Sequence, residues 1–284
     1  MSTWVTEAWK SRGNEAATRF SLKVEKVLCH RFTEFQELWI GETSDFGRVM
    51  MLDGYIMLSE RDEFVYHEML SHVPLLSHPA PRDVLIIGGG DGGTLREVLR
   101  HSEVERVTLC EIDEAVVQAS KEFLPSICEG SFVDPRADVQ IGDGIAYVRN
   151  LPSEALDVII VDSTDPVGPG ELLFGEDFYA HCRRALRPDG IIALQSESPW
   201  EDSDLFRAIQ VRIRNVFGDS HPYLVSIPTY PSGTWSLTVT SVDGTRPTKD
   251  RERAERISRG CRYYTPDVHS SAFALPAFVQ QLLD

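Results

Sequence analysis

Between residues 83 and 217 the chain repeats one rhythm: a short apolar run, a turn, then a helical pattern. "DVLIIGGG" leads into "GGTLREVLRH", "RVTLCEID" into "EAVVQASKEFL", and "DVQIGDG" into "IAYVRNL". "DVIIVDSTDP" is followed, past a loop, by "EDFYAHCRRAL", and "GIIALQSES" by "SDLFRAIQVRIRNVF". Apolar runs without alternation, separated by helices, predict a parallel sheet covered on both faces. Upstream, "FSLKVEKVLCHRF", "QELWIGET" and "GRVMMLDGYIML" alternate in part and carry the turn signals "DFG" and "LDGY", so residues 20–60 predict a small antiparallel sheet. "DEFVYHEMLSHVPLL" predicts a helix over 62–76, limited by Pro74, with Phe64, Tyr66, Met69, Leu70 and Val73 on one side. "SHPAPRD" is a short hinge, and "YLVSIPTYPSGTWSLTVTSV" predicts two strands around Pro-Ser-Gly. The expected division is an amino-terminal β domain, 1–61, and an α/β domain, 62–284, which suits a length of 284 residues.

The first turn of that rhythm carries chemistry. Gly88, Gly90 and Gly93 have the G-x-G-x-x-G spacing of a dinucleotide-binding turn, and Glu111 stands where an acid would hold a ribose. Asp91, inside the turn, argues against a pyrophosphate. Two like charges about 4 Å apart repel by about 4 kcal/mol at an effective dielectric of about 20. A sulfonium nucleoside that carries an ammonium reverses the sign, and Glu111 serves any adenosine ribose.

Ligands of an open parallel sheet sit outside the carboxyl ends of its strands. Those ends deliver Asp91, then Glu111 and Asp113, then Asp143, then Asp162 and Asp165. Capping explains Asp113, which precedes "EAVVQA", but Asp162 and Asp165 precede a Pro-Gly loop. A metal site would draw its ligands to one point, whereas these acids spread along a groove. "HEMLSH" has one residue too many for H-E-x-x-H, so His67 and His72 point apart. Acids spread in two clusters suit a di- or polyamine.

The whole chain agrees. It has 44 Asp plus Glu against 28 Lys plus Arg, a formal charge of −16, which disfavours nucleic acid and anionic membrane and favours cationic partners. Five cysteines without a C-x-x-C pair predict free thiols in a reducing cytoplasm. The first twenty residues have no apolar core of a secretory signal, and no apolar run approaches membrane-spanning length.

The segments "LDGYIMLSERDEFVYHEML", "VLIIGGGDGGTLREVLRH", "CEIDEAVV", "GDGIAYV", "DVIIVDSTDPVGPGELLF", "IPTYPSG" and "YYTPDVHSSAFALP" resemble, in this order, the polyamine aminopropyltransferases, typified by spermidine synthase. The resemblance runs from about residue 20 to the carboxyl terminus. It implies a Rossmann-like, methyltransferase-type sheet behind the amino-terminal β domain, a homodimer or homotetramer, and no metal or resident cofactor. It implies transfer of the aminopropyl group of decarboxylated S-adenosylmethionine, a cosubstrate, to putrescine. By this resemblance Gln36, Gly88, Gly90, Asp91, Glu111, Asp143, Gly144 and Pro169 hold the nucleoside. Tyr66, His67, Asp91, Ser163, Thr164, Asp165, Glu197 and Tyr230 hold the amine, and Asp162 accepts its proton. Met57 stands where many members carry glutamine.

A nucleophilic displacement beside a sulfonium needs mainly alignment of amine, carbon and sulfur. "STDPVGPGELLFGED" follows the catalytic strand and reads as a lid that excludes water. Two rivals share elements of this pattern: an S-adenosylmethionine-dependent amine N-methyltransferase and a polyamine-binding module without catalysis. Cadaverine, agmatine and spermidine remain alternative acceptors.

Overall fold

Residues 3–59 pair as an antiparallel meander of β1 (Thr3–Trp9), β2 (Thr18–Phe32), β3 (Glu37–Thr43), β4 (Gly47–Leu52) and β5 (Tyr55–Ser59), in that spatial order. The structure, a computed structural model, describes residues 3–9, 18–165 and 168–284, and of residues 8, 9, 168 and 169 the backbone alone. Strand β1 lies ahead of the segment that reads as β structure and extends the sheet to five strands. Two register shifts between β2 and β3 bend the sheet, as bulges do. The Ile56 amide on β5 donates to Glu7 Oε1 on β1 at 2.9 Å, drawing the two ends of the meander together. One face packs Leu22, Val49, Met51 and Ile56. The other packs Leu38, Ile40, Met50 and Leu58 against Val116, Ala119, Leu124 and Ile127 of the following domain.

Helix α1 (Glu63–Ser77) joins the two halves. Its predicted apolar side is incomplete as a description, because the helix is buried nearly all round, from Glu63 through Leu76. Pro74 also does not limit it. A proline lacks only its own N–H, and the last turn closes without it, with the His78 amide donating to the Pro74 carbonyl at 3.1 Å.

Then come β6 (Asp83–Gly88), α2 (Gly93–Leu99), β7 (Arg106–Glu111), α3 (Glu114–Phe123), α4 (Pro125–Cys128), β8 (Ala137–Ile141), α5 (Gly144–Asn150) and β9 (Leu156–Asp162). After a 3₁₀ turn at Gly168–Phe174 follow α6 (Glu176–Ala185), β10 (Leu186–Gln195), α7 (Ser203–Phe217), β11 (His221–Ser226) and β12 (Thr234–Ser241). Helices α8 (Arg251–Ser258), α9 (Pro266–Ser271) and α10 (Ala277–Leu283) close the chain. The seven-stranded sheet has the order β11-β12-β10-β9-β6-β7-β8. Strands β10 through β8 are parallel, and the β11–β12 hairpin around Pro231–Gly233 pairs antiparallel at the edge. The fold is therefore α/β with a mostly parallel, methyltransferase-like sheet.

The central runs are apolar without alternation because each face has its own core. Val84 and Ile86 of β6 pack with Val158 and Ile160 of β9 and with α1. Leu85 and Ile87 pack with Ile159, Val161 and the α6 and α7 side chains Phe178 and Ile209 on the opposite face. Chain order runs outward from β6 through β7 to β8, then restarts on its other side at β9. The crevice outside the ends of β6 and β9 is thus the switch point where such sheets bind ligands, and there Gly88 pairs with Asp162.

Gly88 has φ +81°, and a Cβ on it would lie 2.0 Å from the Asp162 carbonyl oxygen. Gly54 has nearly the same backbone, φ +82°, with nothing within 4 Å of its Cβ position. Gly54→Ala should cost only backbone strain, about 1 kcal/mol, whereas Gly88→Ala must also push β6 and β9 apart and should cost about 3 kcal/mol. Urea denaturation of both variants checks this; equal losses would mean that the close approach of β6 and β9 does not matter.

Candidate active site

A cavity of about 180 Å³ opens at the switch point and runs between the two sheets. Gln36, Gly88, Gly90, Asp91, Glu111, Asp143 and Gly144 line it, together with Tyr66, His67, Asp162, Ser163, Thr164, Asp165 and Tyr230. A pocket of about 30 Å³ shares Met57, Tyr66, Thr164, Asp165 and Tyr230 with it and extends to Glu7, Gln195 and Trp235. Neither lining contains a lysine or arginine among the described residues, and His67 is its one histidine. Of the residues that the sequence singles out, Glu197 stands just behind the small pocket, beside Gln195 and Asp165. The Pro169 side chain lies outside the described residues, as do residues 166 and 167 of the segment that reads as a lid.

At one end, Glu111 closes β7 and receives the Gly90 amide on Oε2 at 3.2 Å and the Asp113 amide on Oε1 at 2.9 Å. Burial pushes its carboxyl up to about 7 although these N–H groups favour the charged form. Asp113 caps α3 through the Ala115 amide at 3.0 Å, the role its place in the sequence predicts. Asp143 likewise caps α5 through the Ile145 amide at 2.8 Å. Gln36 lines the cavity, but its side-chain amide nitrogen donates to Asp113 Oδ2 at 3.0 Å. That bond uses one of its two N–H donors and leaves the other N–H and the amide oxygen.

At the centre, Asp91 and Asp162 face one another. Asp91 Oδ1 accepts the Gly93 amide at 2.7 Å and lies 3.2 Å from His67 Nε2. Burial is the largest single influence and opposes its charge, but the His67 ring, the Gly93 amide and Arg96 together hold the Asp91 carboxyl below its ordinary range. Asp162 Oδ2 is buried without a hydrogen-bond partner of good geometry. Burial, and then the Asp91 charge, push Asp162 up to about 6, opposed by His67 and the Thr94 and Tyr66 hydroxyls. The Tyr66 phenol is held well above its ordinary range by burial and by Asp162, so it stays a neutral donor. Tyr66 comes from α1 and Tyr230 from the loop before β12. Asp62, at the start of α1, ties them together by accepting the Thr229 amide and hydroxyl. Tyr230 in turn donates to the Met57 carbonyl at 2.6 Å.

At the far end, burial pushes Asp165 up to about 6, and burial followed by Asp165 pushes Glu197 well above its usual range. Glu7 joins them. It is 3% exposed, its Oε2 has no partner, and burial raises it to about 7, with Asp165 adding to the shift. The sequence gives no hint of Glu7, an acid in the strand "TWVTEAW" that reaches the site only because β1 curls onto β5.

Among the described residues, two groups bring three possible metal-ligand atoms within 4.8 Å of one another. One is His67, Asp91 and Asp162, where both ring nitrogens of His67 already face carboxylates, Glu63 at 2.5 Å and Asp91 at 3.2 Å. The other is His72, Glu97 and Cys261, behind the site, where Arg96 and Arg100 neutralise Glu97 at 2.7 and 2.9 Å. His67 and His72 do point to different places.

Residues 63–251 match the spermine/spermidine synthase domain, and residues 3–60 the spermidine synthase tetramerisation domain. The polyamine aminopropyltransferase of Thermoanaerobacter sp. (strain X514) is 46% identical over 278 residues, 98% of this chain and 99% of that one. That of Bacillus subtilis (strain 168) is 44% identical over 279 residues, 98% and 100% of the two chains. A spermidine synthase crystallised with the transition-state analogue AdoDATO superimposes with a TM-score of 0.94 at 43% identity, over 99% of this chain and 94% of that one. The spermidine synthase of Thermotoga maritima gives 0.90 at 42% identity, with the same coverage. The acid-lined crevice at the switch point thus lies in a chain that belongs to the spermine/spermidine synthase family of polyamine aminopropyltransferases.

Proposed function

We propose that the acceptor is putrescine and the donor decarboxylated S-adenosylmethionine, giving spermidine and methylthioadenosine. The observation that carries this reading is the pair of carboxyl clusters, Asp91 with Asp162 and Asp165 with Glu197 and Glu7, in one cavity without lysine or arginine among its described residues. Two separated clusters suit the two ammonium groups of a diamine. Glu111 takes the ribose hydroxyls, Asp143 and Gly144 the adenine, with Gln36 and Pro169 beside them. Gly88 and Gly90 let the nucleoside approach the turn. Asp91 faces the ammonium of the aminopropyl chain. The far ammonium of the diamine lies toward Asp165, Glu197 and Glu7, with Ser163 and Thr164 on the wall.

In the reaction the lone pair of a neutral amine attacks the carbon beside the sulfonium. The carbon–sulfur bond breaks, its electrons pass to sulfur, and a neutral thioether leaves. The new secondary ammonium then gives a proton to Asp162. A carboxyl poised at about 6 is a suitable acceptor near neutral pH, and the neutral Tyr66 phenol orients the nitrogen. The Gly168–Phe174 turn, which brings Leu173 to the cavity, closes the site against water. No metal or resident cofactor has a role in these steps. An amine N-methyltransferase would share the nucleoside half but must seat a carboxylate beside Asp91, and the nearest cation, His67, is already engaged by Asp91 and Glu63.

Assembly into a homodimer or homotetramer is assigned to the amino-terminal sheet, where Val27 and Phe32 stand exposed. A cytoplasmic location suits five unbonded cysteines; among the described residues no helix is long and apolar enough to cross a membrane.

Asp162→Asn keeps the shape and removes the proton acceptor, so kcat should fall about 10²–10⁴-fold while methylthioadenosine binding changes little. Near-normal turnover would remove Asp162 from the mechanism.

The raised carboxyls also fix a pH dependence. Unfolded Asp and Glu ionise near about 4, whereas Asp162 and Asp165 stand near 6 and Glu7 and Glu111 near 7 in the folded protein. A raised folded value contributes stability that is full below the unfolded value and lost as pH rises through the folded one. The ligand-free protein should therefore lose stability from these groups between about pH 4 and 7. A diamine that compensates their charge should raise Tm more at pH 8 than at pH 5, by about twofold or more. Thermal melts with and without putrescine test this, and an increment independent of pH would contradict it.

A further inference from the structure

We propose that Arg96, Glu63 and His67 form a charge relay that assigns unlike roles to the two facing carboxyls, fixing Asp91 as the permanent anion and leaving Asp162 to take the proton. This rests on reading Asp162 as the proton acceptor. The two carboxyls lie side by side, Asp162 at the end of β9 and Asp91 in the turn after the adjoining β6, with oxygens within 4.8 Å of each other. Two like charges that close do not both ionise freely, so something must decide which one does.

The deciding asymmetry is one-sided. His67 Nε2 lies 3.2 Å from Asp91 Oδ1, and its Nδ1 lies 2.5 Å from Glu63 Oε2, one helical turn earlier on α1. Arg96 of α2 backs Glu63 with Nη2 at 3.0 Å from Oε2 and Nη1 at 3.3 Å from Oε1, and gives Nη1 also to the Ile127 carbonyl at 2.7 Å. The side chains of His67 and Glu63 are 3% and 7% exposed, those of Asp91 and Arg96 14% and 12%. Solvent therefore screens this chain of alternating charge weakly. The groups that face His67 are Glu63 and Tyr66 from α1, Asp91 from the turn after β6 and Asp162 from β9. Burial works against a charged ring, but Asp91 and Glu63 override it and hold the imidazolium up to about 10.

Space is reserved for the ring. A Cβ on Gly93, the first residue of α2, would lie 2.3 Å from His67 Nδ1. The glycine at the helix start therefore admits the ring between two helices. Glu63 and Arg96 do not line the main cavity; they are positioning residues that act through His67.

The test combines ¹⁵N NMR of ring-labelled histidine with the pH profile of kcat/KM. In the wild type both His67 ring nitrogens should stay protonated from about pH 6 to 9. In Glu63→Gln the ring should titrate about 2 units lower, near pH 8, so the acid limb of kcat/KM set by Asp162 should stay in place, and kcat/KM should fall above about pH 8 as the ring beside Asp91 loses its charge. Relative to the wild type the loss in kcat/KM should be small near pH 6 and about 10-fold near pH 9. Arg96→Gln, which keeps Glu63, should shift both readouts in the same direction by less. An unmoved ring titration in a folded Glu63→Gln protein overturns the relay, and a wild-type ring neutral at pH 7 overturns it without any variant. Near-normal turnover of Asp162→Asn instead overturns the proton-acceptor reading, and the assignment of roles falls with it.

Discussion

Carboxyl groups buried without enough cations govern this molecule. Glu7, Asp91, Glu111, Asp162, Asp165 and Glu197 gather at one crevice whose described lining holds neither lysine nor arginine. Burying an unpaired carboxylate costs several kcal/mol per ion even after relaxation. Each acid meets that cost differently. Asp91 stays charged beside an imidazolium; Glu111 takes two backbone N–H groups; Asp165, Glu197 and Glu7 rise toward protonation. A polyamine relieves the same frustration, so the charge of the crevice is itself a description of its ligand.

The fold makes this arrangement possible by dividing tasks between two cores. Alternate residues of β6 and β9 anchor in separate apolar clusters, so the strand ends are held firmly enough to carry acids without spreading. Val116, Ala119, Leu124 and Ile127 then lock the small sheet over the crevice. That contact is what brings Glu7 and Met57 against Asp165.

How much of this the amino-acid order reveals depends on range. The strand–turn–helix rhythm is local, and a parallel sheet has a rule for where its ligand sits, so Asp91, Glu111, Asp143 and Asp162 can be picked out by position. Charge adds the rest: an aspartate in a glycine turn disfavours phosphate. Glu7 is invisible because its role comes from the curl of β1 onto β5, a contact between residues far apart in the chain. Glu63 is equally hidden, since an acid in the first turn of a helix reads as a dipole partner and its tie to Arg96 crosses between helices. Pro74 misleads for the opposite reason: the local rule is sound, but the last turn of a buried helix does not need the missing N–H. Gln36 lines the cavity, yet one N–H of its amide goes to Asp113, a tie between the two sheets' domains that its place in the sequence does not show.

The central claim is that charge at Asp91 chooses the donor. S-adenosylmethionine differs from its decarboxylated form by one carboxylate, which this site would place near Asp91. After screening and side-chain movement that repulsion should cost about 2–4 kcal/mol, a preference of about 30- to 1,000-fold for the decarboxylated form. Calorimetry with both nucleosides on the wild type and on Asp91→Asn measures it directly. The account predicts a large gap in the wild type that narrows in the variant, as the ammonium contact weakens and the repulsion disappears. Equal affinities in the wild type would reduce Asp91 to a turn residue and contradict the account.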